Sequence, residues 1–180
     1  MTLLILGCAV FLAGHFIAVL GYRARMEAAI GHNGYMGTIS LISVIGITLI
    51  VVGYKQVEMS LVWVPLPSAY ALALHLMPIA AILLVAGNVP CNIARFVPHS
   101  MLTGIVLWAA LHLLANGDVA STIIFVTFGG YALYRRFTLE AKPVAPQPIY
   151  RDVLVVILGA GVYAVLLRFH ETLSGIGLAL

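Results

Sequence analysis

The sequence predicts an all-α fold, a polytopic membrane bundle of about six transmembrane helices. Composition is the first ground: of 180 residues, 63% are hydrophobic and only 8% are charged, with a mean hydropathy of +1.12. Soluble domains carry about 25% charged residues, so this chain has too little polar surface to cover a water-facing globule. The second ground is the recurrence of apolar runs of roughly 18–20 residues, each long enough to cross a hydrocarbon core of about 30 Å. The third is that short polar or turn-rich pieces separate them.

The first run, Leu3–Tyr22, lacks a basic leader and a small-residue cleavage site, so it reads as a retained span rather than a signal peptide. Gly7, Gly14 and Gly21 recur on nearly one face of it, where small residues admit either another backbone or a flat ligand. The polar piece G-Y-R-A-R-M-E (21–27) follows, then a second run at Tyr35–Tyr54 and K-Q-V-E-M-S (55–60). A third run covers Ser68–Gly87, and N-V-P-C-N-I-A-R (88–95) leads to a fourth at His99–Asn116. The tight joint N-G-D (116–118) makes the fourth run and the fifth, Val119–Arg136, an antiparallel hairpin. Prolines at 143, 146 and 148 keep E-A-K-P-V-A-P-Q-P (140–148) extended and exposed before the sixth run, Asp152–Phe169. No internal repeat or second domain interrupts residues 1–180, which are expected to form a single transmembrane domain.

Charge sets the expected orientation. The net charge of +3 and pI near 9.0 come without a basic block of the kind that binds nucleic acid. Arg23, Arg25, Arg95, Arg135, Arg136, Lys142 and Arg151 fall in odd-numbered loops, while only Lys55 and Arg168 fall on the other side. The positive-inside rule then places both termini outside the cytoplasm. Cys8 and Cys91 do not form a disulfide framework, and no C-x-x-C-H motif exists for attaching a c-type haem.

Six histidines remain, and ionisable groups at membrane depth point to function with a named partner. His32 reads as a residue of the first loop, His99 as a helix-end residue behind Pro98, and His170 as the close of the sixth run. His15, His75 and His112 are deep: His15 about 4 Å to the cytoplasmic side of its midpoint, His75 about 4 Å and His112 about 6 Å to the outer side. Helical side chains lean toward their N-terminus, so His15 and His112, on antiparallel spans, lean toward each other. That suits two axial ligands on one haem iron, as it also suits hydrogen bonding between helices. Trp108 and Asn116 lie one turn either side of His112, Ala109 and Ala115 leave room nearby, and Asn116 is placed to satisfy one ring nitrogen. Asp118 is placed to cap the fifth helix.

The stretches F-L-A-G-H (11–15), G-H-N-G-Y-M-G (31–37), V-G-Y (52–54), V-W-V-P-L-P (62–67), P-H-S-M (98–101), W-A-A-L-H-L-L-A-N-G-D (108–118) and H-E-T-L-S-G (170–175) run the length of the chain. In order and spacing they resemble the NnrU family of bacterial membrane proteins. The resemblance implies a multi-pass protein of the bacterial inner membrane, with an accessory or redox role in nitrogen-oxide metabolism, including denitrification. The same superfamily includes the plastid 15-cis-ζ-carotene isomerase, which carries a b-type haem on histidines. Carried over, the resemblance implies haem b with His15 and His112 as iron ligands, and Trp108, Asn116 and His99 as further cofactor-binding residues. It implies nitric oxide or an apolar polyene as the partner besides the lipid bilayer. The alternative function is then a haem-dependent cis–trans isomerase of such a polyene. Pro98-His99-Ser100-Met101 replaces the family's Arg-His-Pro-Met, and His15-Phe16 replaces its His-Ser. The missing arginine and hydroxyl put in doubt any activity that needs them. A membrane methyltransferase would need an intact Arg-His-Pro motif and paired glutamates, which the chain lacks; a bundle without cofactor is the remaining alternative.

Overall fold

The computed structural model describes residues 1–178 and is helical, with no strand among the described residues. The helices are α1 (Thr2–Val19), α2 (Arg23–Lys55), α3 (Ala69–Ala86), α4 (Asn92–Phe96), α5 (Ser100–Ala115), α6 (Val119–Thr138), α7 (Ile149–Arg168) and α8 (His170–Ser174). A helix stands at each of the six expected places. By length and composition, α1, α2, α3 and α7 could each cross a membrane. At 16 residues α5 is about 24 Å long, and α6 carries Arg135 and Arg136 in its last turn. The protein is therefore a membrane protein by its apolar helices, with four spans supported on this measure. The chain divides into two compact units, Met1–Glu58 and Met59–Leu180.

The first unit is the pair α1 and α2, held by glycines. A Cβ on Gly7 would stand 2.7 Å from both the Gly46 carbonyl oxygen and the Ile50 nitrogen, and one on Gly14 would stand 2.9 Å from Ile42 Cγ2. Gly53 lies equally close to the Leu4 backbone. Lipid offers no hydrophobic gain for helix association, so close backbone approach and van der Waals contact hold such pairs. Two of the three spaced glycines are thus packing residues. Gly21 is different: at φ +79 it is the left-handed residue of a Schellman turn. Tyr22 N donates to Ile17 O at 3.1 Å and Gly21 N to Ala18 O at 3.3 Å, closing α1.

Helix α2 begins well before the expected run. Residues 23–30 are helical, and Gly31 (φ 73, ψ 164) breaks the helix before it resumes. The polar piece expected as a loop is therefore mostly a helical turn, and His32 lies just past the kink rather than in a loop. Glu27 accepts from Arg23 Nε and lies 3.0 Å from His32 Nδ1, bracketing the break.

In the second unit α3 packs against both α5 and α7, and α6 packs against α5. The order of neighbours is α7–α3–α5–α6. Glycines again mark the contacts: a Cβ on Gly104 would stand 2.8 Å from the Ala80 carbonyl oxygen, and one on Gly159 would stand 2.6 Å from Ile82 Cα. Neighbouring helices sit about 8–10 Å apart, which leaves α7 up to about 30 Å from α6. The extended residues 139–148 can reach about 33 Å at roughly 3.3 Å each, which explains a long proline-rich connection here. Its far end is pinned. Asn92 Nδ2 donates to Gln147 O at 2.7 Å and to Asp152 Oδ2 at 2.6 Å, and Asn92 Oδ1 accepts from Gln147 N at 2.9 Å. Asp152 Oδ1 also accepts from Ile93 N at 2.9 Å. The piece expected as a plain connection (88–95) thus contains α4, capped by the buried Cys91 sulfur accepting from Ala94 N. Both cysteines are buried, and neither is joined in a disulfide.

Pro78 sits inside α3. Its ring nitrogen cannot donate, so the Leu74 carbonyl loses its helical partner. Tyr163 on α7 supplies one, its hydroxyl donating to Leu74 O at 3.0 Å. Large apolar side chains face outward: on α7 alone Val153, Leu154, Val156, Ile157, Leu158, Val165 and Leu166 are exposed, as lipid contact requires.

Candidate functional site

The site is built on the α5–α6 hairpin. Asp118 caps α6, its Oδ1 accepting from Ser121 N at 2.8 Å, as the sequence led us to expect. Gly117 accepts through its carbonyl oxygen from Val62 N at 2.6 Å and from Trp63 N at 3.2 Å. A Cβ there would collide with the Trp63 carbonyl oxygen. The glycine of N-G-D is therefore required by the segment around Trp63, which docks on the turn, as well as by the turn itself. Ser60 O accepts from Val119 N at 2.9 Å and completes the seam.

His112 lies one turn above this seam and is half-buried. Its Nδ1 is 2.9 Å from the Trp108 carbonyl oxygen. A carbonyl only accepts, so Nδ1 carries the proton and the neutral ring keeps its lone pair on Nε2. His15 does the same with Phe11 O at 2.9 Å and His75 with Ala71 O at 2.7 Å. This tie is common to all three deep histidines, so surroundings must distinguish them. His75 is exposed. His15 stacks on Phe11 at 4.2 Å between ring centres. His112 is enclosed by several rings. Phe125 lies parallel to it at 4.4 Å, Trp108 tilts against it at 5.1 Å, and Trp108 meets Phe125 and Phe128 edge-on.

Asn116 has a different part from the expected one. Its Nδ2 donates to the His112 backbone carbonyl at 2.9 Å, closing the end of α5, and the imidazole is satisfied instead by Trp108 O. Ala109, expected to leave room for a ligand, is filled by α6: a Cβ on Gly129 would stand 2.8 Å from the Ala109 Cβ. His99 precedes α5 in the left-handed region (φ 56) and makes no side-chain cap, about 20 Å along the helix axis from His112. The structure thus groups His112, Trp108 and Asn116 in the second unit, sets His99 at the other end of α5, and places His15 in the first unit.

Sequence reasoning read His170 as the close of the sixth run and left open whether His75, His99 or His170 replaces a proposed ligand. The His170 ring lies 6.5 Å from that of His112, with an interplanar angle of 13°. Ile176 O, at 3.1 Å, holds His170 Nδ1, with Ser174 Oγ at 3.2 Å. The only sequence signal was shared position, since both histidines end their spans on the same side. An apolar groove of about 550 Å³ runs elsewhere, lined by Ile157, Leu158, Gly161, Val162, Val165 and Leu166 of α7 and by no histidine.

The profile described as NnrU protein matches residues 3–178, nearly the whole chain. The chain belongs to the NnrU family. No curated protein and no solved structure matches this NnrU chain. Among its described residues no three side chains of the His, Cys, Asp and Glu types gather as a metal site. A bare tetrahedral ion needs three or four protein donors, which the NnrU chain does not assemble. Haem iron needs no more than two, the porphyrin filling the rest.

Proposed function

We propose that this NnrU protein is a membrane haem protein that binds haem b through two histidine imidazoles, with an accessory redox role linked to nitrogen-oxide metabolism and denitrification. His112 supplies one imidazole.

The observation that carries the reading is the state of His112. Its proton is fixed on Nδ1 by the Trp108 carbonyl, and it stands between Trp108 and Phe125. Metal-bound imidazoles depend on such a tie, because it sets ring orientation and leaves the other nitrogen basic. The aromatic rings beside it offer flat apolar faces. Asn116 closes the helix end so that the His112 carbonyl stays paired. When bound, iron with two imidazoles supplies one-electron redox chemistry. The family resemblance supports the link to nitrogen oxides.

Purification in mild detergent followed by oxidised and reduced spectra tests the proposal. Split α and β bands on reduction are expected, and His112→Ala should remove or broaden them. A colourless protein that also fails to take up added haemin would overturn it.

A further inference from the structure

We propose that one end of the second unit, where α3 and α6 finish and α5 and α7 begin, binds anionic phospholipid headgroups. Side-chain ties gather this end. Asn92 joins α4 to the start of α7 through Gln147 O and Asp152 Oδ2. Arg151 Nη1 donates to Pro90 O at 3.3 Å, and Arg136 Nε donates to Thr103 Oγ at 3.1 Å.

Charge is the first ground. Arg95, Arg135, Arg136, Lys142 and Arg151 collect here, five of the nine Lys and Arg residues in the chain. Glu140 and Asp152 are the carboxylates of the same segments. None of the five cations forms an ion pair with a described carboxylate. Asp152 is already engaged, its two oxygens accepting from Asn92 Nδ2 and Ile93 N. Arg135 and Arg136 suit the last turn of α6, but Arg151 stands in the first turn of α7, where the helix dipole disfavours a cation. Such residues orient spans during insertion, yet their charge remains in the folded protein to be balanced.

Apolar surface beside these cations is the second ground. Phe96 is 74% exposed, Phe137 77%, Ile149 73% and Tyr150 61%. Each ring is next in sequence to one of the arginines, and the Arg95 guanidinium lies over the Phe96 ring at 5.4 Å. Aromatic rings and cations at the ends of membrane helices sit at the depth of lipid headgroups. A soluble anion would balance the cations and leave four large apolar side chains in water. A phospholipid of net negative charge meets both needs, with phosphate oxygens for the guanidinium groups and hydrocarbon for the rings.

The test reconstitutes the full-length protein in phosphatidylcholine vesicles carrying a trace of spin-labelled phosphatidylglycerol or spin-labelled phosphatidylcholine. Electron paramagnetic resonance reads the share of label slowed by the protein. Phosphatidylglycerol should be held several-fold more strongly, and the excess should shrink as sodium chloride is raised. Arg95→Gln with Arg151→Gln should remove most of the preference, and Arg95→Lys with Arg151→Lys should keep most of it. Lys55→Gln with Arg168→Gln, an equal change of charge elsewhere in the chain, should leave it intact. Equal retention of the two lipids by the wild type would overturn the proposal. An equal loss in the Lys55 and Arg168 variant would do so too, since net charge alone would then be the cause. An equal loss in the lysine variant would trace the effect to folding and sink it as well. Sodium phosphate that displaces the lipid better than sodium chloride at equal ionic strength would overturn it by assigning the patch to a soluble anion.

Discussion

Pro78 and Tyr163 make a paired prediction. Tyr163→Phe deletes the hydroxyl that donates to Leu74 O at 3.0 Å and leaves that carbonyl unpaired in an apolar setting. Loss of a hydrogen bond with its acceptor left buried costs about 1–3 kcal/mol in water-soluble proteins. Inside membranes measured interhelical bonds average about 0.6 and reach about 1.7 kcal/mol. A loss of about 1 kcal/mol is therefore expected. In a Pro78→Ala background residue 78 regains its N–H and pairs with Leu74 O along the helix. Tyr163→Phe should then cost close to nothing, giving a coupling of about 1 kcal/mol in a double-mutant cycle. Denaturant unfolding in detergent micelles, followed by tryptophan fluorescence, measures all four proteins. Both tryptophans, Trp63 and Trp108, lie in the same unit as the pair. An equal loss in the two backgrounds would refute the reasoning, because the hydroxyl would then be acting through something other than the proline's missing donor.

Gly117→Ala should push the Trp63 segment off the hairpin turn and break the bonds from Val62 N and Trp63 N, lowering stability by about 2 kcal/mol. Gly130→Ala, at a site with open space, should be neutral or slightly stabilising in the same denaturant unfolding. Gly7→Ala meets backbone atoms of Gly46 and Ile50 that cannot swing aside, so α1 and α2 must separate, at a cost of about 1–3 kcal/mol. A disulfide cross-linking series along the two helices would show the loosened register. Asp152→Ala removes the carboxylate that accepts from Asn92 Nδ2 and Ile93 N, and limited proteolysis should then cut residues 139–148 several times faster.

Much of the fold was legible because helix formation in lipid is written locally. The run Ser68–Gly87 became α3 (Ala69–Ala86), and N-G-D became the turn capped by Asp118. What escaped depends on backbone sign or on distant partners. Gly7 and Gly21 look alike in a seven-residue spacing, yet one packs against α2 and the other closes a helix with positive φ. The Gly31 kink left no mark, because glycine is common in membrane helices whether or not they bend. For the candidate site, His112 with Trp108 was readable at helical spacing. The part played by Asn116 was not, since a side chain four residues on can reach either the ring or the carbonyl, and here the carbonyl won. His170 was least legible. Its approach to His112 depends on how α7 returns along α3, which no short-range pattern encodes.

The extended connection between α6 and α7 has a consequence for how the protein can be taken apart. Helix α7 packs against α3 and is joined to α6 by the largely exposed residues 139–148. Opened at Lys142–Val144, the chain becomes two pieces whose interface, including Gly159 on Ile82 and Tyr163 on Leu74, is untouched. The smaller piece carries His170. Co-expressed halves would let that histidine be exchanged for a labelled or altered one without touching the rest of the polypeptide.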